Sequence, residues 1–371
     1  MDIPSMPGAA LTFRMNSMTT GQISIAATAT AVPENLLERE QVKYYFQKVF
    51  GLEERRLNAM MSVIDNACVE RRYCILPVEY FVEPRPLEQT SREYQEYAIK
   101  LSEQAAAKCL AEAGLAPRDI DMLITVSCTG VMIPSVDAHL INRMGFRSDV
   151  RRLPITELGC AAGAAGLARA RDFVKAFPGS SVMLVAVEIP TLTFQRRDLS
   201  QANLISCTLF GDGAAAAIVT GRPTTGKPNI LDATSYLFPE SIDAMGFDLK
   251  ETGFHIVLSR DVPDLIRGKI GGLVDGFLKA NGLTREQPAA YVLHPGGQKL
   301  LRYMQEELGL PIEKVQFSWD VLRQYGNLSS ASVLFVLNEW LTKRKMAAGD
   351  YGLLAAFGPG FSAEMLMLQW A

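Results

Sequence analysis

The stretch LPITELGCAAGAAGL at residues 153–167 constrains the fold more than any other part of the chain. An apolar, extended segment runs into Gly159 and Cys160, and a run of alanine and glycine follows. Side chains this small cannot form a core alone, but they allow a helix to pack closely against its neighbours. The pattern therefore predicts a strand, a sharp turn at Cys160 and a buried helix.

Cys160 has two interpretations at this point. A thiol at a helix N-terminus lies at the positive end of the helix dipole, which favours the thiolate. Gly159, Gly163 and Gly166 would let other backbones and a substrate approach its sulfur. The alternative is a buried structural cysteine, since free cysteine is among the most buried residue types. This stretch by itself leaves both interpretations open.

Composition narrows the classes of protein that remain. The 371 residues are 48% hydrophobic, enough for one large two-lobed domain or two domains sharing a core. The formal net charge is −3 and there is no long basic run, which argues against a nucleic-acid partner. Six cysteines without a CxxC pair, and only three histidines, argue against a zinc site.

The same sequence predicts a cytoplasmic protein. Scattered single cysteines fit a reducing compartment better than a disulfide framework. No apolar run approaches the roughly 20 residues needed to span a bilayer, so we expect no membrane partner. Residues 1–22 contain one arginine and no stretch long enough for a signal peptide, and we interpret them as a loose arm.

Strands alternating with helices predict an α/β protein with largely parallel, buried strands. A link with proline and glycine at residues 221–228 separates two halves that have a similar alternation of strands and helices. We therefore divide the chain into an N-terminal half at residues 23–225, with the candidate nucleophile, and a C-terminal half at residues 226–371.

A nucleophilic cysteine needs a base within hydrogen-bond reach, and the three histidines make the search short. His139 falls in a predicted helix and His255 in a predicted strand, where structural roles are the simpler interpretation. His294 ends an apolar strand, before a proline and two glycines. Ligands bind at the carboxyl ends of strands in open α/β sheets, so His294 is the partner we choose.

Asn327 occupies a similar position, after Gly326 and before a helix that opens with two serines. An ordinary helix N-cap is the alternative interpretation. Together with Cys160 and His294, the catalytic interpretation is favoured, because all three residues lie at element ends flanked by glycine.

Neither GxGxxG after a strand nor GxxxxGK[ST] occurs, so no nucleotide-binding loop is predicted.

Five segments carry a resemblance to a known family: LGCAAGAAGL, LFGDGAAAAIV, VLHPGG, YGNLSSAS and AAFGPGFSAE. They occur in the same order in the type III polyketide synthases, the chalcone-synthase-like family, and SCTGVMIPS and VERRY match as well. The chain is similar to the bacterial alkylpyrone and phloroglucinol synthases over residues 23–370. The resemblance implies a thiolase-like fold of five layers, αβαβα, with two similar halves, and a homodimer.

The resemblance also implies roles for individual residues. Cys160 matches the nucleophile that accepts the acyl group, and His294 and Asn327 match the catalytic histidine and asparagine. Phe210 matches an aromatic gatekeeper between the entry tunnel and the cavity. Ile133 matches a residue that crosses into the partner's cavity. Further positions that match cavity-lining residues are Cys128, Thr193 and Ser329.

Two positions depart from the family pattern. The second gatekeeper position falls on Ile256, while Phe254 lies two residues away on the same strand face. Residues 58–66, NAMMSVIDN, lack the lysine and arginine that meet coenzyme A phosphates in plant members. The acyl donor is therefore either a coenzyme A thioester or a carrier-protein thioester.

The resemblance implies an acyltransferase that condenses acyl thioesters with malonyl-type or β-ketoacyl units and releases an α-pyrone. His294 would take the proton of Cys160, giving a thiolate–imidazolium pair, and no metal or redox cofactor is implied. Three alternatives stay open: a carrier-dependent ketosynthase that joins two β-ketoacyl chains, an initiating ketoacyl synthase of fatty-acid synthesis, and a non-catalytic partner subunit.

Overall fold

The computed structural model describes residues 21–81, 83–259, 262 and 267–371. The predicted arm at residues 1–22 lies largely outside the described residues. The strands are β1 (Ser24–Ala31), β2 (Asn35–Glu38), β3 (Arg71–Cys74), β4 (Met122–Val126), β5 (Arg151–Ile155), β6 (Ser181–Glu188), β7 (Gly213–Thr220), β8 (Pro228–Leu237), β9 (Met245–Lys250), β10 (Gly253–Leu258), β11 (Pro288–Leu293), β12 (Tyr351–Gly358) and β13 (Ser362–Trp370). The α-helices are α1 (Arg39–Phe50), α2 (Glu54–Asn66), α3 (Leu87–Ala113), α4 (Val136–Met144), α5 (Ala162–Ala176), α6 (Gln201–Leu209), α7 (Ile270–Ala280), α8 (Gln298–Leu308), α9 (Gln316–Tyr325) and α10 (Ser332–Lys343).

Nine strands form one mixed sheet in the order β11-β12-β13-β8-β1-β7-β6-β4-β5, and β2–β3 and β9–β10 form two separate antiparallel pairs. The pairs β4–β5, β4–β6 and β11–β12 are parallel, whereas the other pairs in this sheet are antiparallel. The prediction of largely parallel strands is therefore wrong. Strands joined by a short turn, such as β12 and β13, return beside each other in opposite directions without a crossover helix.

The two halves of the chain meet in the middle of this sheet. The strands β5, β4, β6, β7 and β1 come from the first half, and β8, β13, β12 and β11 come from the second. Their junction is the antiparallel pairing of Ser24 in β1 with Asn229 in β8. The Ser24 hydroxyl donates a 2.7 Å hydrogen bond to Asn229 Oδ1 at this point.

Three hydrophobic clusters place the helices in layers around the sheet. The central cluster packs α5 and α10 between the inner faces of the two halves. A second cluster packs α3 and α4 on the outer face of the first half. A third packs α7 and α8 on the outer face of the second half. The described residues thus form the predicted αβαβα arrangement.

The small residues of α5 explain how it fits in the central layer. A Cβ added at Gly163 would lie 2.2 Å from the carbonyl oxygen of Ser330, and one at Gly166 would lie 2.6 Å from Leu184. Both distances are shorter than any side chain tolerates. The glycines therefore allow α5 to pack directly against the turn before α10 on one side and against β6 on the other.

Candidate active site

Cys160 is buried in a short 3-10 turn, Gly159–Ala161, directly before α5. Gly159 has φ +51°, and a Cβ there would lie 2.5 Å from the ring of Pro359. Residues with a side chain rarely adopt this conformation, so backbone and space both require glycine beside the cysteine. The predicted order of strand, sharp turn and buried helix is present, since β5 ends at Ile155.

A second turn, Ser329–Ala331, brings a hydroxyl to the sulfur of Cys160. Ser329 Oγ is 3.3 Å from Cys160 Sγ and 3.3 Å from Cys128 Sγ. Ser329 has φ +48°, a left-handed conformation that costs energy for a residue other than glycine. Packing against α5 at Gly163 helps to hold this turn in place.

The amide of Asn327 is fixed in one orientation. Its Oδ1 accepts hydrogen bonds from the Ser329 N–H at 2.8 Å and the Ser332 hydroxyl at 3.2 Å. Its Nδ2 donates to the Gly296 carbonyl at 3.2 Å. The helix α10 begins at Ser332, five residues later, so Asn327 is not its N-cap.

His294 directly follows β11 and is 1% exposed. Its backbone N–H donates to the Ala355 carbonyl of β12 at 2.9 Å. The Nδ1 atom has no hydrogen-bond partner within the described part of the chain. The structure therefore brings His294, Cys160 and Asn327 to one cavity, whereas His139 and His255 do not line it.

Burial sets the protonation state of the cysteine and the histidine. Loss of solvation raises the pKa of the Cys160 thiol to about 12. It lowers the pKa of His294 to about 3. Burial disfavours the charged form of each group and therefore opposes the predicted thiolate–imidazolium pair. The attraction between the two charges of the pair acts in the opposite direction, and the pair stays a prediction.

The cavity around these residues has a volume of about 370 Å³. The residues predicted to shape it all contribute to its wall, namely Cys128, Thr193, Phe210, Phe254, Ile256 and Ser329. Phe254 and Ile256 share one face of β10, as alternate residues of a strand do. Phe247 of β9 also lines the wall, and its ring packs edge to face on Phe254 at a centroid distance of 5.7 Å.

A narrower apolar cavity of about 100 Å³ adjoins the main one. The two cavities share Pro190, Thr193 and Phe210 in their walls, so Phe210 lies at the boundary between them. Aromatic side chains surround the smaller cavity: Tyr45, Phe46, Phe50, Phe81 and Phe194. We call it the side cavity.

Glu188 is a buried polar residue of this site that sequence analysis missed. Its carboxylate accepts hydrogen bonds from the Thr129 hydroxyl at 2.7 Å, the Cys128 N–H at 3.1 Å and the Ser330 hydroxyl. Burial raises the pKa of the carboxyl group. One feature of the sequence could have revealed Glu188: it is the acidic residue at the carboxyl end of the apolar strand SVMLVAVE. A charge without partners would be costly in such a strand.

The turn that carries Phe210 is anchored by the buried Asp212. Its carboxylate accepts hydrogen bonds from the backbone N–H of Ile75 at 2.9 Å and from that of Thr191 at 3.0 Å. Burial raises the pKa of Asp212 to about 6. These bonds tie the gatekeeper turn to two neighbouring segments, and they give Phe210 a fixed place in the wall.

Metal-binding clusters and membrane-spanning helices are absent from the described residues. No group of three or more histidine, cysteine, aspartate or glutamate side chains is placed to hold a metal ion there. No helix in the same residues is long and apolar enough to cross a membrane.

Comparison with known proteins identifies the family. Residues 11–223 match the family model of the N-terminal domain of chalcone and stilbene synthases, and residues 229–370 match the model of their C-terminal domain. The chain belongs to this family. The predicted resemblance is thereby confirmed.

Several relatives cover nearly the whole chain. A 1,3,6,8-tetrahydroxynaphthalene synthase of Streptomyces peucetius is 37% identical, over 94% of this chain and 93% of that protein. A phloroglucinol synthase of Pseudomonas fluorescens is 33% identical, over 91% of this chain and 96% of that protein. The crystal structure of the 1,3,6,8-tetrahydroxynaphthalene synthase of Streptomyces coelicolor, a bacterial type III polyketide synthase, has a TM-score of 0.90 at 34% identity, over 94% of this chain and 99% of that chain.

These comparisons confirm the thiolase-like fold of the chain. They also confirm that it is a type III polyketide synthase, an enzyme of the acyltransferase class that catalyses Claisen-type condensation.

Proposed function

We propose that this synthase condenses an acyl group held on Cys160 with a malonyl-type or β-ketoacyl unit and releases an α-pyrone. One observation carries the proposal: Cys160, His294 and Asn327 converge on one largely apolar cavity. A thioester brings its own activated carbonyl group, and the steps below use no metal ion or redox cofactor.

Loading of the acyl group starts from a neutral cysteine and a neutral histidine. Cys160 Sγ gives its proton to His294 and attacks the carbonyl carbon of an acyl thioester. The bond from this carbon to the donor sulfur breaks, and the departing thiolate takes the proton from His294. Because burial disfavours the charged form of each group, we expect the proton to move as the bond to the acyl carbon forms.

Decarboxylation of the malonyl-type unit needs hydrogen-bond donors for the charge that develops. Loss of CO₂ leaves its electron pair as an enolate, with negative charge on the thioester oxygen. The amide N–H of Asn327 and a ring N–H of His294 supply the donors, and removing one such donor typically costs roughly 3–4 kcal/mol. Phe210 and Phe254 form an apolar wall where a carboxylate is poorly solvated, which favours its loss.

Condensation then regenerates the cysteine. The enolate carbon attacks the carbonyl of the Cys160 thioester, a carbon–carbon bond forms, and the bond from carbon to Sγ breaks. The thiolate takes a proton from His294, which regains one from solvent. After further extension, attack of an enol oxygen on the terminal thioester carbonyl closes a six-membered lactone and expels the carrier thiol.

The side cavity supports an aliphatic acyl group as the starter. It begins beside Phe210 and Thr193 and is surrounded by aromatic side chains, so an alkyl chain inside it would be removed from water at roughly 0.8 kcal/mol per CH₂ group. A synthase that used malonyl units alone would have no apolar chain to place there. This distinction favours a pyrone that carries an alkyl substituent.

One alternative function retains specific support. A carrier-dependent ketosynthase joining two β-ketoacyl chains would not need cations for coenzyme A phosphates on α2, and residues 58–66 contain none. The family match supports a polyketide synthase over an initiating enzyme of fatty-acid synthesis. The convergence of all three candidate catalytic residues argues against a non-catalytic partner subunit.

We also propose a homodimer. Ile133 is 94% exposed and Val131 is 62% exposed. Gly130 and Val131 of the same loop line the main cavity, so this part of the cavity wall is open to solvent in a single protomer. A second copy that covers the loop would bury both side chains. If the fully active enzyme sediments as a monomer, the homodimer proposal is wrong.

The test of the proposed reaction is mass spectrometry of products from the purified protein. Acyl groups of several lengths are supplied on coenzyme A and on a carrier protein, each with malonyl-coenzyme A. We expect pyrones whose masses contain the supplied acyl chain. Products built from malonyl units alone in every reaction would contradict the proposed starter and release.

A further inference from the structure

We propose that a basic surface at the start of α8 binds the phosphate groups of acyl-coenzyme A donors. The surface consists of Arg267, Lys299 and Arg302, which surround the ring of Tyr303. We call it the Tyr303 basic surface. The inference rests on the proposed function, because it presupposes that a coenzyme A thioester delivers the acyl group to Cys160.

The three cations lie close together around one aromatic ring. Arg267 Cζ is 4.5 Å from the Tyr303 ring centroid, Lys299 Nζ is 5.6 Å away, and Arg302 Cζ is 5.9 Å away. A tyrosine ring attracts cations within about 6 Å of its centroid. The ring therefore gathers three like charges that repel one another, and a bound anion would relieve this repulsion.

Neighbouring carboxylates neutralise this charge only in part. Arg302 Nε lies 3.8 Å from Glu306, and both side chains are at least half exposed, so the pair contributes little. Among the residues that the structure describes, Arg267 and Lys299 form no ion pair. Glu307, one residue further along α8, accepts hydrogen bonds from the backbone N–H groups of Gly268 and Gly271.

The Tyr303 basic surface lies beside an opening of the main cavity. Leu300, in the first turn of α8, lines the cavity, while its neighbour Lys299 is exposed. Gly296 and Leu258 also line the cavity and are partly exposed, so we place the mouth of the cavity between α8 and β10. A donor whose thioester enters here would place its outer end near these cations.

The start of α8 adds to the positive potential. The helix has 11 residues and no side-chain N-cap, so N–H groups of its first turn remain available at the positive end of the helix dipole. Lys299 and Arg302 are three residues apart and therefore project from neighbouring positions on the helix surface. Together they match the chemistry of phosphate binding, which uses charged donors and helix N-termini.

The same surface accounts for the missing cations on α2. A coenzyme A donor carries a diphosphate and a 3′-phosphate at the outer end of its pantetheine arm, and these groups require lysine or arginine. Residues 58–66 of α2 supply neither. In the proposed site, the cations of α8 and Arg267 provide this charge next to the mouth of the cavity.

The test compares one acyl chain on coenzyme A and on pantetheine, which has no phosphate. The variant Lys299→Glu/Arg302→Glu changes two exposed side chains, and Arg118→Glu/Lys345→Glu, exposed elsewhere, is the matched control. We expect kcat/KM for acyl-coenzyme A to fall at least about tenfold in the first variant. Use of acyl-pantetheine is expected to stay unchanged, and the control is expected to resemble the unaltered enzyme with both donors.

A binding measurement provides a second readout. Adenosine 3′,5′-bisphosphate, the phosphate-bearing end of the donor, should bind the unaltered enzyme more tightly than the Lys299→Glu/Arg302→Glu variant, with an affinity that falls as salt is added. Three results for the Lys299→Glu/Arg302→Glu variant would overturn the site. They are an unchanged kcat/KM for acyl-coenzyme A, an equal fall in kcat/KM with acyl-coenzyme A and acyl-pantetheine, and a fall seen only with an acyl group on a carrier protein. Failure of the unaltered enzyme to use the acyl group in any of its three forms, on coenzyme A, on pantetheine or on a carrier protein, would instead contradict the proposed function.

Discussion

The buried imidazole of His294 couples the stability of this protein to pH. Burial lowers its pKa to about 3 in the folded chain, whereas an exposed histidine has a pKa of about 6.5. Between these values the unfolded chain binds more protons, so the free energy of unfolding rises with pH across this window. The contribution of the buried, neutral His294 to the free energy of unfolding is therefore present above pH 6.5 and is lost as the pH falls towards 3.

Replacing His294 by glutamine should remove this dependence. Between pH 7 and pH 5 the unaltered protein should lose about 2 kcal/mol of stability that the His294→Gln protein does not lose. Denaturant unfolding at a series of pH values measures the difference. His139→Gln, outside the cavity, is the control. Parallel pH curves for the unaltered and His294→Gln proteins would show that the imidazole is not held neutral by burial.

Asn327 should matter more for decarboxylation than for loading. Its fixed amide orientation presents N–H groups to the enolate oxygen, and an oxyanion donor is typically worth about 10²–10³ in kcat. We expect Asn327→Ala to reduce CO₂ release from malonyl-coenzyme A by this factor and to reduce acylation of Cys160 less. Both rates are measured on the same folded variant. Equal losses would contradict this division of roles.

The sequence identified Cys160, His294 and Asn327 because each stands at an element end beside glycine, where local pattern is informative. It did not identify Phe247 or Glu188, since each depends on partners distant in the chain. Phe247 lies on β9, whose sequence MGFDLK alternates apolar residues with glycine and charged residues, but alternation does not show which cavity the apolar face lines. The charge states of Cys160 and His294 were also out of reach, because desolvation is produced by the whole surrounding wall.

Among the secondary-structure elements, α5 depends most on its small side chains. A methyl group at Gly163 would meet the Ser330 carbonyl oxygen, which belongs to the turn that positions Ser329. We expect Gly163→Ala to destabilise the protein by about 1–3 kcal/mol, as overpacking typically does, and to lower the rate of condensation. Thermal unfolding and product formation check the two effects.

Gly272 provides the matched control for this substitution. It lies within α7, and a Cβ added there would meet no atom within 4 Å. Alanine is a better helix former than glycine by roughly 1 kcal/mol, so Gly272→Ala should leave stability unchanged or raise it. If both alanine variants behaved alike, the packing argument for α5 would fail.

The side cavity should control the length of the starter. Cys207 of α6 lines it, and a larger side chain there would fill part of its volume. We expect Cys207→Phe to shift the preference from long acyl chains to short ones while leaving acylation of Cys160 by short chains intact. Competition between a long and a short acyl donor, analysed by product mass, checks this. An unchanged preference would place the alkyl chain elsewhere.

Long elements were predictable from sequence and short ones were not. The prediction of a strand, a turn and a buried helix at residues 153–167 included β5 and α5, whose pattern is continuous. The predictions omitted α6, α9 and β9, which are short and depend on tertiary packing for stability. Strand direction was also misjudged, because whether a strand returns through a turn or through a helix on another layer depends on contacts across the sheet.

At the scale of the whole molecule, the two halves of the chain build the site jointly. Cys160 comes from the first half, and His294 and Asn327 come from the second. They meet because α5 and α10 pack together in the central layer between the halves of the sheet. Chemistry at this site therefore requires the complete fold.

Mapping the acyl-enzyme intermediate tests the central claim most directly. The purified protein is incubated with an acyl-coenzyme A donor without extender, quenched, digested and analysed by peptide mass spectrometry. We predict that the acyl group is found on Cys160 and is absent from the Cys160→Ala protein. An acyl group on Cys128 or Cys207, with Cys160 unmodified, would contradict the account.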